Sequence, residues 1–178
     1  MVFTLFLLVT SLCIIIQPSS AFQLRSSATI PNINKDALHN FLATPTHWPQ
    51  IVLSSHSVKC PSFATNRIDA PLKVGDYVEE IFGLPPILPL SVVWKCVISD
   101  IDNGRLEFYS QEGVAGFANQ CIMKFDIRQD RSNGCTVDLI MRFEPLNPIV
   151  PLGIPLLSVD NNLALNVLLP RVISMRSY

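Results

Sequence analysis

The chain has 178 residues, with 13 basic and 14 acidic side chains and a formal net charge of -1. That balance excludes a nucleic-acid binder, which needs a basic stripe to neutralise phosphates. Hydrophobic residues make up 49% of the chain and charged residues only 15%, but part of the apolar excess lies in a segment ahead of the fold.

Val2 to Ile16 is almost entirely apolar, and no charged side chain precedes Arg25. The run falls short of the roughly 20 residues of a membrane span. Gln17-Pro18 breaks it, and Ser19-Ser20-Ala21 supplies the small residues of a cleavage site, so residues 1–21 read as a signal peptide for the secretory route. Phe22 follows the predicted cut, and Gln23 to Thr29 carries one Arg, three hydroxyl residues and no acid. This junction resembles the bipartite presequence of algae with red-derived complex plastids. The resemblance implies a plastid destination, with secretion as the alternative, and makes residues 22–26 a short transit-like segment or linker. Residues 27–178 then form one domain, since no repeat or low-complexity stretch divides them.

Ser27 to Ile33 reads as an opening strand. Asn34 is a helix N-cap, with Ala37, Leu38, Phe41 and Leu42 on one face, and Pro45 ends that helix. Thr46 to Val52 fits a second helical turn with Trp48 turned inward. Strands are expected at Ser55–Cys60, Tyr77–Phe82 and Val92–Ile98. Leu106 and Phe108 alternate with charged or polar neighbours. So do Cys121, Met123, Phe125 and Ile127, and again Val137, Leu139, Met141 and Phe143. A period of two with polar residues on the other face means a sheet wet on one side. Near the C-terminus the period changes. Ser158 or Asp160 caps a helix whose stripe of Val159, Leu163, Val167 and Leu168 is expected to face the sheet, and Pro170 shortens it.

Three connections are apolar where loops are normally polar. They are Gly83 to Leu90, Gly113 to Phe117 and Pro145 to Pro155, with Leu84, Ile87, Leu88, Phe117 and Ile149 among their side chains. The connections between them are ordinary polar turns around Asn103-Gly104 and Asn133-Gly134. Successive turns of an antiparallel meander fall at opposite ends, so the apolar loops share one end. Such a rim marks a mouth, a partner surface or a membrane contact.

The segment Ile30-Pro-Asn-Ile-Asn-Lys-Asp-Ala-Leu-His-Asn-Phe-Leu-Ala-Thr-Pro-Thr-His-Trp-Pro49 and the stretch Leu72-Lys-Val-Gly-Asp-Tyr-Val-Glu79 carry a family resemblance. Over residues 27–170 the chain resembles the SRPBCC superfamily, which includes START lipid-transfer domains, polyketide cyclase-like proteins and pathogenesis-related allergens. The resemblance implies an α+β helix-grip fold. A curved antiparallel sheet of about seven strands wraps a long C-terminal helix, and two short helices follow the first strand. It also implies an apolar cavity between sheet and helix, with the three apolar loops around its mouth.

The cavity-lining candidates are Trp94, Phe108, Met123, Phe125, Leu139, Met141 and Phe143, faced by Val159, Leu163 and Val167. Periodicity alone does not separate a lined pocket from a solid core, because both put the same residues inside. The expected partner is therefore a small hydrophobic molecule, with transient membrane contact by the loops as a further expectation, and the protein is expected to be a monomer. No Ser/His/Asp or Cys/His set points to catalysis, and no cofactor or metal is implied. Of the histidines, His39 is placed on the outer face of the first helix, His47 beside Trp48, and His56 outside the meander. An enzyme acting in the same cavity would need an internal acid, for which Glu79 or Glu80 is the candidate because neighbours in a strand point to opposite faces. Glu112 and Asn119 are within reach of the mouth. Cys60, Cys96, Cys121 and Cys135 permit two disulfides, although the last three sit among aliphatic neighbours, as buried thiols do.

Overall fold

The computed structural model describes residues 21–84, 88–131 and 133–176, and the expected signal segment lies outside them. Its strands are β1 (Phe22–Pro31), β2 (Ser55–Lys59), β3 (Tyr77–Leu84), β4 (Leu88–Asp100), β5 (Arg105–Ser110), β6 (Ala118–Gln129) and β7 (Gly134–Pro145). They form one sheet in the order β1-β7-β6-β5-β4-β3-β2, with every pair antiparallel. The first strand starts at Phe22, ahead of the Ser27 suggested by the pattern. Phe22 to Ser26 pair with Phe143 to Leu139 of β7, so the whole of this stretch belongs to the sheet.

Between β1 and β2 run α1 (Lys35–Ala43), a 3-10 turn (Pro45–His47) and α2 (Trp48–Ile51). The Asn34 side chain accepts a hydrogen bond from the Ala37 backbone N–H at 2.7 Å, as an N-cap does. Trp48 is buried; its indole N–H donates to the Leu42 carbonyl at 2.9 Å and its ring meets Phe108 edge-on at 5.2 Å. His39 departs from the expected outer face. It is 2% exposed, with Nε2 3.3 Å from the Arg105 carbonyl, because this face of α1 closes over the ends of β5 and β6 rather than over solvent.

The register fixes which side chains share a face. On the concave side, Ser26, Ala28 and Ile30 lie opposite Leu139, Val137 and Cys135. Phe125 lies between Leu139 and Leu106, and Phe108 beside Met123 and Cys96. The convex side carries ion pairs such as Lys124–Asp126 at 2.8 Å and Arg128–Asp138 at 2.7 Å.

The C-terminal helix is longer than its sequence suggests and rotated from the expected phase. It comprises α3 (Val150–Leu163), a π-helical segment (Ala164–Leu168) and α4 (Leu169–Met175), running on through Pro155 and Pro170. The missing Pro170 N–H falls just after the π segment, where the ladder of hydrogen bonds is already rearranged. The side chains buried against the sheet are Asn161, Ala164, Leu165, Leu169 and Ile173. Val159 and Val167, expected to face inward, are 63% and 51% exposed. By length and apolar composition this helix qualifies as a membrane span, yet here it lies along the sheet, against β1 and β7.

Candidate functional site

The concave face is sealed at one end and open at the other. At the α1 end, Ile30, Leu106, Ile127, Cys135 and Val137 are 2% exposed or less, and the Lys35 ammonium donates to the Asp102 carbonyl. Toward the opposite end Val92, Cys121 and Phe143 are buried too, but several other inward positions stay within reach of solvent. Phe22, Leu24, Phe82, Met123 and Met141 are only partly buried, as are Val150, Ile154 and Leu157 of α3 above them. Inward-facing apolar side chains that water still touches mark the concave face under the first half of α3 as its less sealed part.

The end that stays open is the one that carries the apolar connections. The β3–β4, β5–β6 and β7–α3 connections fall together, and the polar turns lie at the α1 end. Two of the apolar stretches are less loop than expected, because Gly83 and Leu84 pair with Pro89 and Leu88 as strand and α3 already starts at Val150. Gly104 shows why one of those turns needs glycine: its φ is +64°, and a Cβ there would run into the Ile127 carbonyl. At the open end the Leu146 N–H donates to the Phe117 carbonyl at 2.8 Å, joining two of the apolar connections. Ile149 is 63% exposed and Phe117 partly buried. Ile87 lies outside the described residues, as do the side chains of Leu84 and Leu88.

Among the expected cavity residues, Trp94, Phe108, Phe125, Leu139 and Phe143 are buried on the concave face, with Met123 and Met141 nearer the open end. Leu163 is partly exposed and outside the packed set; Asn161 and Leu165 take the inward positions on that part of the helix. The Asn161 amide points at the Met141 sulfur at 3.2 Å.

Glu79 and Glu80 separate as their spacing requires. Glu79 faces out and pairs with Lys59 at 3.3 Å, while Glu80 is buried on the concave face. One Glu80 oxygen, Oε2, accepts from the Trp94 indole N–H at 3.0 Å. Burial drives the Glu80 carboxyl above the usual carboxylate range; Ser55 and Trp94 pull it down and Asp160 pushes it up. No cation acts on it among the described residues, so nothing of opposite charge offsets the burial that disfavours its charged form. Asp160 itself is occupied: it reaches from α3 and accepts from the Leu53 N–H at 3.2 Å and the Ser54 hydroxyl. The Ser55 hydroxyl lies close enough to Glu80 to affect its proton affinity, yet it completes no hydrogen bond and is fully buried. Alternation could identify Glu80 as one of two candidates; nothing local in the sequence signalled Ser55.

Elsewhere the chemistry is quiet. The four described cysteines are free thiols. Burial raises Cys96 to about 12 and Cys121 and Cys135 to about 11, so none of these three is a thiolate nucleophile at neutral pH. Among the described residues no His, Cys, Asp and Glu cluster could hold a metal. Glu112 is exposed, whereas the Asn119 Oδ1 is buried without a partner. A hollow of about 400 Å³ beside Arg25, Asp126 and Asp138 belongs to the charged convex face.

No protein-family model and no curated protein matches this sequence. Solved structures do match in fold. A protein from Thermus thermophilus, TTHA0849, is 15% identical with a TM-score of 0.68, covering 88% of this chain and 100% of its own. Ginseng major latex-like protein 151 from Panax ginseng is 18% identical with a TM-score of 0.58, covering 81% and 95%. The Zhui aromatase/cyclase from Streptomyces sp. R1128 is 10% identical with a TM-score of 0.63, covering 82% and 92%. The chain therefore has the helix-grip fold that its sequence resemblance implied.

Proposed function

We propose that this protein binds a small hydrophobic molecule in the hollow between the concave sheet face and the C-terminal helix, as a carrier or binding protein. The observation that carries this reading is the burial gradient, with inward apolar side chains sealed at the α1 end and solvent-accessible beneath α3. Burying the apolar surface of a lipid, isoprenoid, quinone or pigment-like ligand there drives binding, and a few polar groups orient it. The test is solvent extraction of the purified protein followed by mass spectrometry, with displacement of an apolar fluorophore. Co-purification of an apolar compound, or saturable displacement, is expected. A protein that purifies empty and binds no such probe sinks the reading.

A second reading is an enzyme acting on a polyketide-like substrate in the same hollow, favoured by one feature, the buried acid Glu80, and by the fold shared with an aromatase/cyclase. It requires that Glu80→Gln abolish turnover while binding persists; equal turnover by both forms rejects it.

The exposed row Ile149, Leu152, Leu156 and Val159 supports transient membrane contact. Unchanged liposome co-sedimentation of Leu152→Ser/Leu156→Ser would count against it. The route is the secretory pathway after cleavage behind Ala21, with a plastid as the favoured destination and secretion as the alternative. N-terminal sequencing of protein from its native cells should find Phe22 first. A start inside β1, beyond Ser27, would contradict that cut.

A further inference from the structure

The geometry points to Glu80 and Ser55 as a polar subsite in the otherwise apolar hollow, recognising a single carbonyl or hydroxyl group on the ligand. This inference rests on the binding reading above and names the chemistry of what is bound. Glu80 stands on the concave face of β3, opposite Val58 of β2 and Val92 of β4. Both cross-strand partners are apolar, and the Trp94 indole N–H occupies Oε2.

A buried carboxyl with one indole donor has unused hydrogen-bonding capacity, and the buried Ser55 hydroxyl beside it is an orphan. Native folds rarely leave such groups unsatisfied without a reason. Asp160 does not meet the need, since its two oxygens serve Leu53 and Ser54 and it supplies only negative charge. The absence of a neighbouring cation among the described residues argues against an anionic ligand head, which Asp160 would repel. A neutral acid offers one O–H donor, and Ser55 offers a donor and an acceptor. That complement suits a ketone or an alcohol. The remainder of the ligand then lies along Met123 and Met141 toward the open end, where thioethers adapt to its shape.

The experiment uses the mature chain from Phe22 and two probes of matched shape, 2-acetonaphthone and 2-ethylnaphthalene, titrated into wild type, Glu80→Leu, Glu80→Gln and Ser55→Ala. Loss of one neutral hydrogen bond should weaken the ketone about threefold to tenfold in Glu80→Leu and in Ser55→Ala. The hydrocarbon should bind each variant as it binds wild type, or tighter. Glu80→Gln, which keeps a donor, should retain most of the ketone preference. The carbonyl stretch of the bound, isotope-labelled ketone should lie lower in wild type than in Glu80→Leu. Equal effects of each substitution on both probes, or an unchanged carbonyl stretch, overturn the subsite and leave apolar binding intact. If neither probe binds wild type, the binding reading itself fails with it. Should Glu80→Leu not fold, Ser55→Ala and the stretch in Glu80→Gln decide alone.

Discussion

Burial acts on Glu80 and His47 in the same sense, disfavouring the charged form, yet the two give opposite pH dependences. The folded pKa of Glu80 is raised. Its proton is bound in both states at low pH, and the folded state loses stability as pH rises from the ordinary carboxyl range through the raised value. Each unit of displacement corresponds to about 1.4 kcal/mol. Glu80→Gln should therefore gain on wild type in thermal stability as pH rises above the ordinary carboxyl range; a gap that closes over that rise would contradict a raised Glu80. His47 is depressed by burial first, held up by the Phe41 carbonyl and pushed further down by Arg176. With Nδ1 3.0 Å from that carbonyl, the hydrogen bonding assigns the proton to Nδ1, and Nε2 accepts from Arg176 at 2.9 Å. Its contribution is present above the ordinary histidine range and is lost as pH falls through the depressed value. Arg176 also bonds Gln50 at 2.7 Å and covers the Phe41 ring, so it ties the end of α4 to α2 and the first helix. Arg176→Met should cost about 1 kcal/mol at pH 7 and flatten the loss of stability between pH 7 and 5; an unchanged acid limb in denaturant titrations rules out the latch.

The elements differ in how much of their geometry their own residues dictate. Strands β6 and β7 were legible because Phe125, Ile127, Val137 and Leu139 alternate with charged neighbours, and a strand's period of two leaves little choice of face. The C-terminal helix was not. Its residues are apolar on several sides, so Val159, Leu163 and Val167 made as good a stripe as Leu165, Leu169 and Ile173. The π segment at Ala164–Leu168 then shifts the phase in a way that no fixed period anticipates. This gives a sharp comparison. Leu165→Ala should cost about 2–5 kcal/mol, as a buried leucine does, while Val167→Ala should stay within about 0.5 kcal/mol. Similar losses by chemical denaturation would return the helix to the phase read from the sequence. His39 was misplaced for a related cause: it belongs to the face of α1 that its own helix leaves free, and only β5 behind it makes that face an interior.

At the scale of the molecule, the sheet curls about one helix and is stoppered at one end by α1 and Trp48, so the two ends of a single concave face have different fates. Hydrogen exchange with and without 2-acetonaphthone should therefore protect amides of 80–94, 120–123 and 139–143, and leave Ile30 to Phe41 unchanged. Protection concentrated in that α1 segment would place the ligand at the wrong end. The grouping of the apolar connections at the open end follows from antiparallel connectivity alone, and is legible in the order of strands and turns.

By itself the sequence determined the order and centres of the strands, though not the starts of β1 and β4, together with the capped first helix, the inward set from Trp94 to Phe143 and the end at which apolar loops gather. These follow from period, turn chemistry and alternation, which act over a few residues. Only the tertiary structure decided that Glu80 rather than Glu79 lies inside, that Ser55 meets it, that Asp160 crosses from the helix to hold Leu53 and Ser54, and which side of the C-terminal helix is buried. Each of these depends on contacts between segments distant in the chain, where burial and the pairing of polar groups are set by whatever the fold brings opposite.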